Sequence, residues 1–277
     1  MSVRNLIIYI IMIVLGFLWL LPIWPTVLLA FKSNEEFGVQ KFWQLPSRNF
    51  FGVNLAKAWS QAKLGRYFIN SLLYGLVGAW GAIFLSSLAS FSIARLKVKG
   101  AFGWFFLIWS GTIFPFQIYL IPLFKMYIST GLYDTFLGMM LFYIAICIPF
   151  CTFIFRNYFL TLPGEVLEAA KLDGCSNFKA YWKIYLPLSK PAIAVLFLFQ
   201  FTWVWNDLMF GMVLTRSMNV RPIMVGLAQL QGFRAGSGTD IPSLMAGALA
   251  ASVPTVLLFV LLQRYFIEGM RLTTAGE

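Results

Sequence analysis

The chain has 277 residues, of which 60% are hydrophobic, 18% aromatic and only 11% charged, and its mean hydropathy of +0.79 excludes an ordinary soluble domain. The net charge of +11 is scattered through loops between apolar runs, without the continuous basic patch that nucleic acid binding requires. With no histidine and only Cys147, Cys151 and Cys175, neither a metal set nor a disulfide framework is predicted.

Six apolar runs are each long enough to cross a roughly 30 Å hydrocarbon core as a helix: residues 6–31, 69–94, 102–124, 133–155, 192–214 and 241–266. Runs of this length exclude a β-barrel, whose strands would alternate over roughly 10 residues. The first run is too long for the apolar core of a cleaved signal peptide, and Pro22 and Pro25 stand where small residues would mark a cleavage site, so it is expected to be retained. Segment 32–68 mixes Phe42, Trp43, Phe50, Phe51, Trp59 and Tyr67 with basic residues, which predicts a loop whose helix lies against the lipid interface. In the second run Gly75, Gly78 and Gly81 precede Ser86, Ser87, Ala89 and Ser90; in the sixth, Ala246, Gly247, Ala248, Ala250 and Ala251 cluster. Small residues at such spacing let helix backbones approach closely. Pro254 removes a backbone donor and is expected to bend the sixth helix.

Six spans put both termini on one side. The two sets of loops carry eleven and ten basic residues, so the count alone does not orient the chain; the short loop with Arg95, Lys97 and Lys99 favours cytoplasmic termini.

The polar stretch from Glu168 to Pro191, EAAKLDGCSNFKAYWKIYLPLSKP, interrupts this pattern. After Pro163 and Gly164, Glu165 and Glu168 fall in the first turns of a short helix, where carboxylates favour the positive helix end. Leu167, Ala170 and Lys171 are expected to share one face, and Gly174 can adopt the positive φ of a turn. Ser176 or Asn177 then caps a second helix through Phe178, Tyr181, Trp182, Ile184 and Tyr185, ended by Leu186-Pro187. A helix, turn and helix lying across the cytoplasmic ends of the spans is predicted.

Asp207 is the costliest residue inside an apolar run, at roughly 2.5 to 3.5 kcal/mol near a helix centre, so it implies a cavity, a partner or the interface. Asn206 and Asp207 beside Trp203 and Trp205 suit a sugar, whose hydroxyls hydrogen-bond while its C–H face packs on rings. Equally, the two polar residues can tie helices together or cap the run's outer end. Gln117 and Gln200 are further pathway candidates with the same two readings.

Glu168-Ala169-Ala170, then Gly174 after three residues, Ile184 after nine and Leu186-Pro187 after one, resembles the EAA loop of ATP-binding cassette importer permeases. Arg66-Tyr67-Phe68-Ile69-Asn70-Ser71 before the second run, Pro115 with Ile121-Pro122-Leu123, Trp205-Asn206-Asp207, and Gln263-Arg264-Tyr265-Phe266 with Gly269 are similar to motifs of the carbohydrate-importer branch. The ending, Thr273-Thr274-Ala275-Gly276-Glu277, departs from the family's usual Gly-Ala-Val-Lys-Gly run.

The resemblance implies an all-α membrane protein of six transmembrane helices, a type I importer permease fold like the smaller permease of maltose-type systems. Residues 1–66 would be the first helix and an extracytoplasmic loop, 67–268 the transmembrane core with the EAA loop at 161–190, and 269–277 a short cytoplasmic tail. Glu168, Ala169, Ala170, Asp173, Gly174, Ile184, Leu186 and Pro187 would couple to a cytoplasmic ATPase, while Gln117, Gln200, Trp203, Asn206 and Asp207 would line the substrate pathway. Segment 215–240, with Gly232, Gly236 and Gly238, would face a solute-binding protein. The implied partners are a second permease in a heterodimer, two ATP-binding subunits and an extracytoplasmic solute-binding protein, in the bacterial inner membrane. No catalytic residue or metal is expected here: ATP and Mg would sit on the ATPase, since this chain lacks G-x-x-x-x-G-K-[ST] and Gly236-Ser237-Gly238 has no lysine. The alternative, a secondary transporter or channel for a small polar solute, calls for mid-membrane ion sites and inverted repeats that the sequence does not show.

Overall fold

A computed structural model describes residues 3–39, 43–61, 63–96, 98–232 and 240–274. Phe42, Lys97, Gly236-Ser237-Gly238 and the tail at 275–277 lie outside them. Every regular element among the described residues is helical, and the chain divides into two compact units, Met1–Arg66 with Val225–Val253 and Tyr67–Met224 with Pro254–Glu277.

In the first unit, α1 (Val3–Leu20) and α2 (Ile23–Phe31) meet at 41°, with Leu21 and Pro22 at the break. Almost every side chain of α1 is apolar and exposed, as befits a helix solvated by lipid. α3 (Asn34–Val39) starts with a capping box in which the Ser33 hydroxyl accepts from the Glu36 N–H and the Glu36 carboxylate from the Ser33 N–H, each at 3.1 Å. α4 (Phe51–Gln61) is held to the end of α2 by Asn54, whose amide donates to the Ala30 and Lys32 carbonyls at 2.9 and 2.8 Å. The small-residue cluster at 246–251 packs here: a Cβ on Gly247 would come within 3.1–3.3 Å of Leu64, Leu227 and Ala58.

The second unit is organised on α5 (Leu64–Arg95), α6 (Ala101–Trp109), α7 (Leu120–Ser129) and α8 (Phe136–Thr161). Next come α9 (Glu165–Leu172), α10 (Asn177–Ala180), a π-turn over Tyr181–Tyr185 and α11 (Leu186–Leu188). α12 (Lys190–Trp205) and α13 (Met209–Leu214) complete it; α5, α14 (Ile223–Gly232) and α15 (Ile241–Thr274) each have residues in both units. The glycines of α5 face α8 and α12. A Cβ on Gly75 would lie 2.8 Å from the Phe201 ring, on Gly78 3.0 Å from Tyr143, and on Gly81 2.8 Å from Ile144. This closeness lets the Ser86 and Ser90 hydroxyls donate to the Ile148 and Thr152 carbonyls of α8, both at 3.1 Å.

Among the described residues three helices are long and apolar enough to cross a membrane singly, Leu64–Arg95, Phe136–Thr161 and Ile241–Tyr265, and counting each of three bent pairs as one span gives up to six. Three of the six expected runs are not straight, the first being run 6–31 with its 41° break at Leu21 and Pro22. Run 102–124 breaks by 88° between 112 and 116, where Pro115 (φ −56°, ψ 130°) leaves helical geometry and disfavours it at Phe114. Run 192–214 divides at 206–208 into α12 and α13. α12 instead begins from a 73° bend after the polar loop's second helix, which carries through Pro187 to Leu188 rather than stopping at Leu186-Pro187.

Candidate functional site

α8 ends where Leu162 turns extended before Pro163, and α9 begins from Gly164. Leu167 and Ala170 turn inward and are buried, whereas Glu168, Ala169 and Leu172 face out, and so does Lys171, whose position on the helix carries its ammonium away from the apolar face expected to include it. The helix stops in a Schellman motif: Gly174, at φ +73°, donates to the Lys171 carbonyl and Cys175 to the Ala170 carbonyl, at 3.0 and 2.9 Å. The Ser176 hydroxyl, accepting from the Lys179 N–H, then caps α10.

The second helix widens into a π-turn, with the Leu186 N–H reaching back five residues to the Tyr181 carbonyl. Pro187 has no N–H to offer the helix, and beyond it Ser189 returns both its N–H and its hydroxyl to the Tyr185 carbonyl. Tyr181 and Tyr185 are buried against the Phe91 ring of α5, with centroids 5.5 and 4.9 Å away, and the Tyr181 and Ser87 hydroxyls are 2.7 Å apart. Arg95, at the end of α5, donates to the Phe159 and Leu162 carbonyls and lies over the Tyr185 ring, a cation at the negative end of α8. The Tyr158 hydroxyl of α8 donates to the Leu188 carbonyl at 2.7 Å, so the loop's inner face is bonded to both α5 and α8. Its outer face leaves Leu172, Phe178 and Trp182 at 90%, 68% and 50% exposure.

The residues singled out in this loop therefore divide. Glu168, Ala169, Asp173, Gly174 and Pro187 are exposed; Ala170 is buried, and Ile184 and Leu186 are half-buried against the core. Spacing alone could not separate the adjacent alanines, because which one faces the spans depends on how α9 is rolled against them.

A cavity of about 580 Å³ is lined by Phe116, Phe199, Thr202, Trp203, Asn206 and the 207–210 turn. It brings Trp203, Asn206 and Asp207 together. Gln117 is exposed, one residue beyond the lining Phe116; Gln200 is buried, outside the cavity's lining. Asp207 ends up saturated: its Oδ2 accepts from the Tyr143 hydroxyl and the Gly211 N–H, both at 2.9 Å, and its Oδ1 from the Phe210 N–H at 3.2 Å. It caps α13 and ties that helix to α8, which is one of its two readings from sequence. Asn206 folds its amide back onto the Thr202 carbonyl at 2.9 Å, leaving its carbonyl oxygen and the Thr202 hydroxyl as polar groups beside the Trp203 face.

Sequence reasoning missed Phe116, Phe199 and Thr202 in the lining and Tyr143 as the partner of Asp207, 64 residues away. A backbone clamp was also missed. Asn70 donates to the Asn219 and Arg221 carbonyls at 2.9 and 3.0 Å, Tyr74 to Val220 at 2.8 Å, and Ser71 accepts from the Ile223 N–H at 2.7 Å. Asp134 accepts from the Arg216 and Ser217 N–H groups, both at 2.8 Å. The Asn70-Ser71 pair in the motif before the second run was the available signal. Among the described residues no cluster of metal-ligating side chains occurs.

The family described as "Binding-protein-dependent transport system inner membrane component" matches residues 3–272. The "Probable ABC transporter permease protein YurM" of Bacillus subtilis is 33% identical over 265 residues, 96% of this chain and 84% of that protein. The "sn-glycerol-3-phosphate transport system permease protein UgpE" of Agrobacterium fabrum is 33% identical over 207 residues, 75% and 72% of the two chains. In fold, this chain is similar to one from the crystal structure of a bacterial ABC transporter involved in the import of the acidic polysaccharide alginate, with a TM-score of 0.82 at 22% identity over 96% and 99% of the two. This chain belongs to the binding-protein-dependent inner membrane component family: it is a multi-pass permease of an ABC importer, a transport subunit and not an enzyme, in a class whose ATP is handled by a partner ATPase.

Proposed function

We propose that this permease serves an importer of neutral carbohydrate and is driven through the 165–188 loop. The observation that carries the coupling role is the loop's two-sidedness, an inner face bonded to α5 through Tyr181 and to α8 through the Leu188 carbonyl, and an outer face ending in exposed Leu172. Glu168, Ala169, Asp173 and Gly174 present the docking surface to a cytoplasmic ATPase. Ala170, Ile184 and Leu186 transmit from within and Pro187 from the exposed end of the second helix, so that ATPase closure tilts the loop as a lever and moves the spans between inward-facing and outward-facing arrangements. This orientation puts both termini in the cytoplasm and makes residues 67–268 the transporting core. A second permease, two ATP-binding subunits and a solute-binding protein complete the assembly, the last facing segment 215–240.

The substrate reading rests on the cavity. Trp203 offers a ring, Thr202 and Asn206 offer polar groups, and the lining holds Asp207 with no lysine or arginine, so an anionic solute is repelled where a neutral sugar is not. Of the relatives, the "Arabinooligosaccharides transport system permease protein AraQ" of Halalkalibacterium halodurans, 34% identical over 204 residues, is named for a neutral substrate, whereas the UgpE protein above is named for an anionic one. The test is the copurified complex with its binding protein, assayed for solute-stimulated ATP hydrolysis. Neutral oligosaccharides should stimulate it and glycerol phosphate or uronates should not; the reverse order removes the substrate assignment. Ala169→Cys should cross-link to the ATPase, and exclusive cross-linking to an extracytoplasmic protein overturns the orientation.

A further inference from the structure

The second helix of the loop has a face that ATPase docking through α9 does not use. Phe178 and Trp182, one turn apart, are exposed with their rings stacked at 6.4 Å and 17°. Beside them Lys179 and Lys183 repeat the same spacing, also exposed and in no ion pair among the described residues. On the opposite side Ala180, Tyr181 and Tyr185 are buried in the core. The segment Asn177–Leu188 meets α12 at 73°, close to perpendicular to a helix that enters the membrane, so it runs along the membrane surface.

We infer that Phe178, Trp182, Lys179 and Lys183 form an anchor for anionic phospholipid headgroups of the cytoplasmic leaflet. Aromatic rings sit at the headgroup level, where an apolar body and a polar edge are both solvated, and neighbouring lysines reach the phosphates. The charge pattern favours lipid over protein as occupant. The docking helix α9 carries Glu165, Glu168 and Asp173 beside a single exposed lysine, Lys171, while the exposed face of the second helix from 178 to 183 carries cations and no carboxylate. Two lysines at about 1 kcal/mol each near an anionic surface correspond to roughly a 30-fold preference for an anionic over a zwitterionic headgroup. Because Tyr181 is bonded to α5 and Tyr185 packs its ring on Phe91 of α5 on the reverse side, the anchor holds the lever's pivot at the bilayer surface while α9 moves.

The inference rests on the cytoplasmic orientation proposed above, and its test reads lipid independently of transport. The assembled importer carrying Trp182→p-benzoylphenylalanine is placed in nanodiscs of phosphatidylethanolamine and phosphatidylglycerol and illuminated. Mass spectrometry should find phospholipid adducts at position 182 enriched in phosphatidylglycerol, and Lys179→Gln with Lys183→Gln should abolish that enrichment, by up to about 30-fold. An adduct with the ATPase subunit, or enrichment that survives loss of both lysines, overturns the anchor. In the same nanodiscs an Ala169→Cys cross-link to the ATPase reads the docking face separately, so failure of one assignment is distinguishable from failure of the other.

Discussion

The phenolic oxygen of Tyr181 lies 2.7 Å from the hydroxyl of Ser87, a buried bond spanning 94 residues that joins the polar loop to α5. The two partners are not equivalent. Ser87 also donates to the Phe84 carbonyl at 2.9 Å, so Tyr181→Phe leaves it satisfied and should cost about 1 kcal/mol. Ser87→Ala strands the phenol hydroxyl away from water and should cost more, about 1–3 kcal/mol. The double variant should recover part of that loss. Thermal unfolding of the purified complex reads all three, and equal midpoints for the single variants would show the bond to be incidental.

Asp207→Asn separates a structural carboxylate from one that touches solute. The carboxylate accepts from one hydroxyl and two backbone N–H groups; an amide turns one acceptor into a donor and faces an N–H with an NH₂. A loss of about 1–3 kcal/mol in stability is expected, with uptake falling only as far as folded protein falls. Uptake abolished at unchanged thermal midpoint would instead assign Asp207 to the solute.

These two residues also show what the sequence could reveal. Hydropathy counts apolar length but not direction, so six runs were legible while the 88° break at Pro115 and the division at 206–208 were not. A Pro before further apolar residues reads the same whether a helix kinks or ends. The 206–208 break persists because Tyr143 and the first turn of α13 saturate the carboxylate, and a partner 64 residues away has no local signature. The turn at Gly174 was legible, because a glycine between two amphipathic stretches has a local cause. The outward face of Ala169 and the inward face of Ala170 were not, since both alanines satisfy the same spacing.

Close packing of α5 predicts a contrast between glycines. At Gly75 a methyl would sit 2.8 Å from two carbons of the Phe201 ring, so Gly75→Ala should destabilise by about 1–3 kcal/mol. Gly103 in α6 has nothing within 4 Å, and Gly103→Ala should be neutral or gain up to about 1 kcal/mol of helix propensity. Yield and thermal midpoint of the two variants give the comparison, and equal behaviour would mean that α5 and α12 do not meet as closely as described.

Gly174 allows size and backbone strain to be separated. Its φ of +73° makes any side chain strained, yet no atom lies within 4 Å of where a Cβ would stand. Gly174→Ala should therefore cost about 1–2 kcal/mol from the left-handed backbone alone, and Gly174→Asn less, because a short polar side chain tolerates that region. For the fold, Gly174→Arg should match Gly174→Ala, since the space outside is open. Loss of the ATPase subunit on copurification by the Arg variant, beyond that of the Ala variant, would then report a partner surface over position 174. Retention of the ATPase and of coupled uptake by the Arg variant would place the docking surface elsewhere, because an arginine cannot be buried at a close-fitting interface without displacing what covers it.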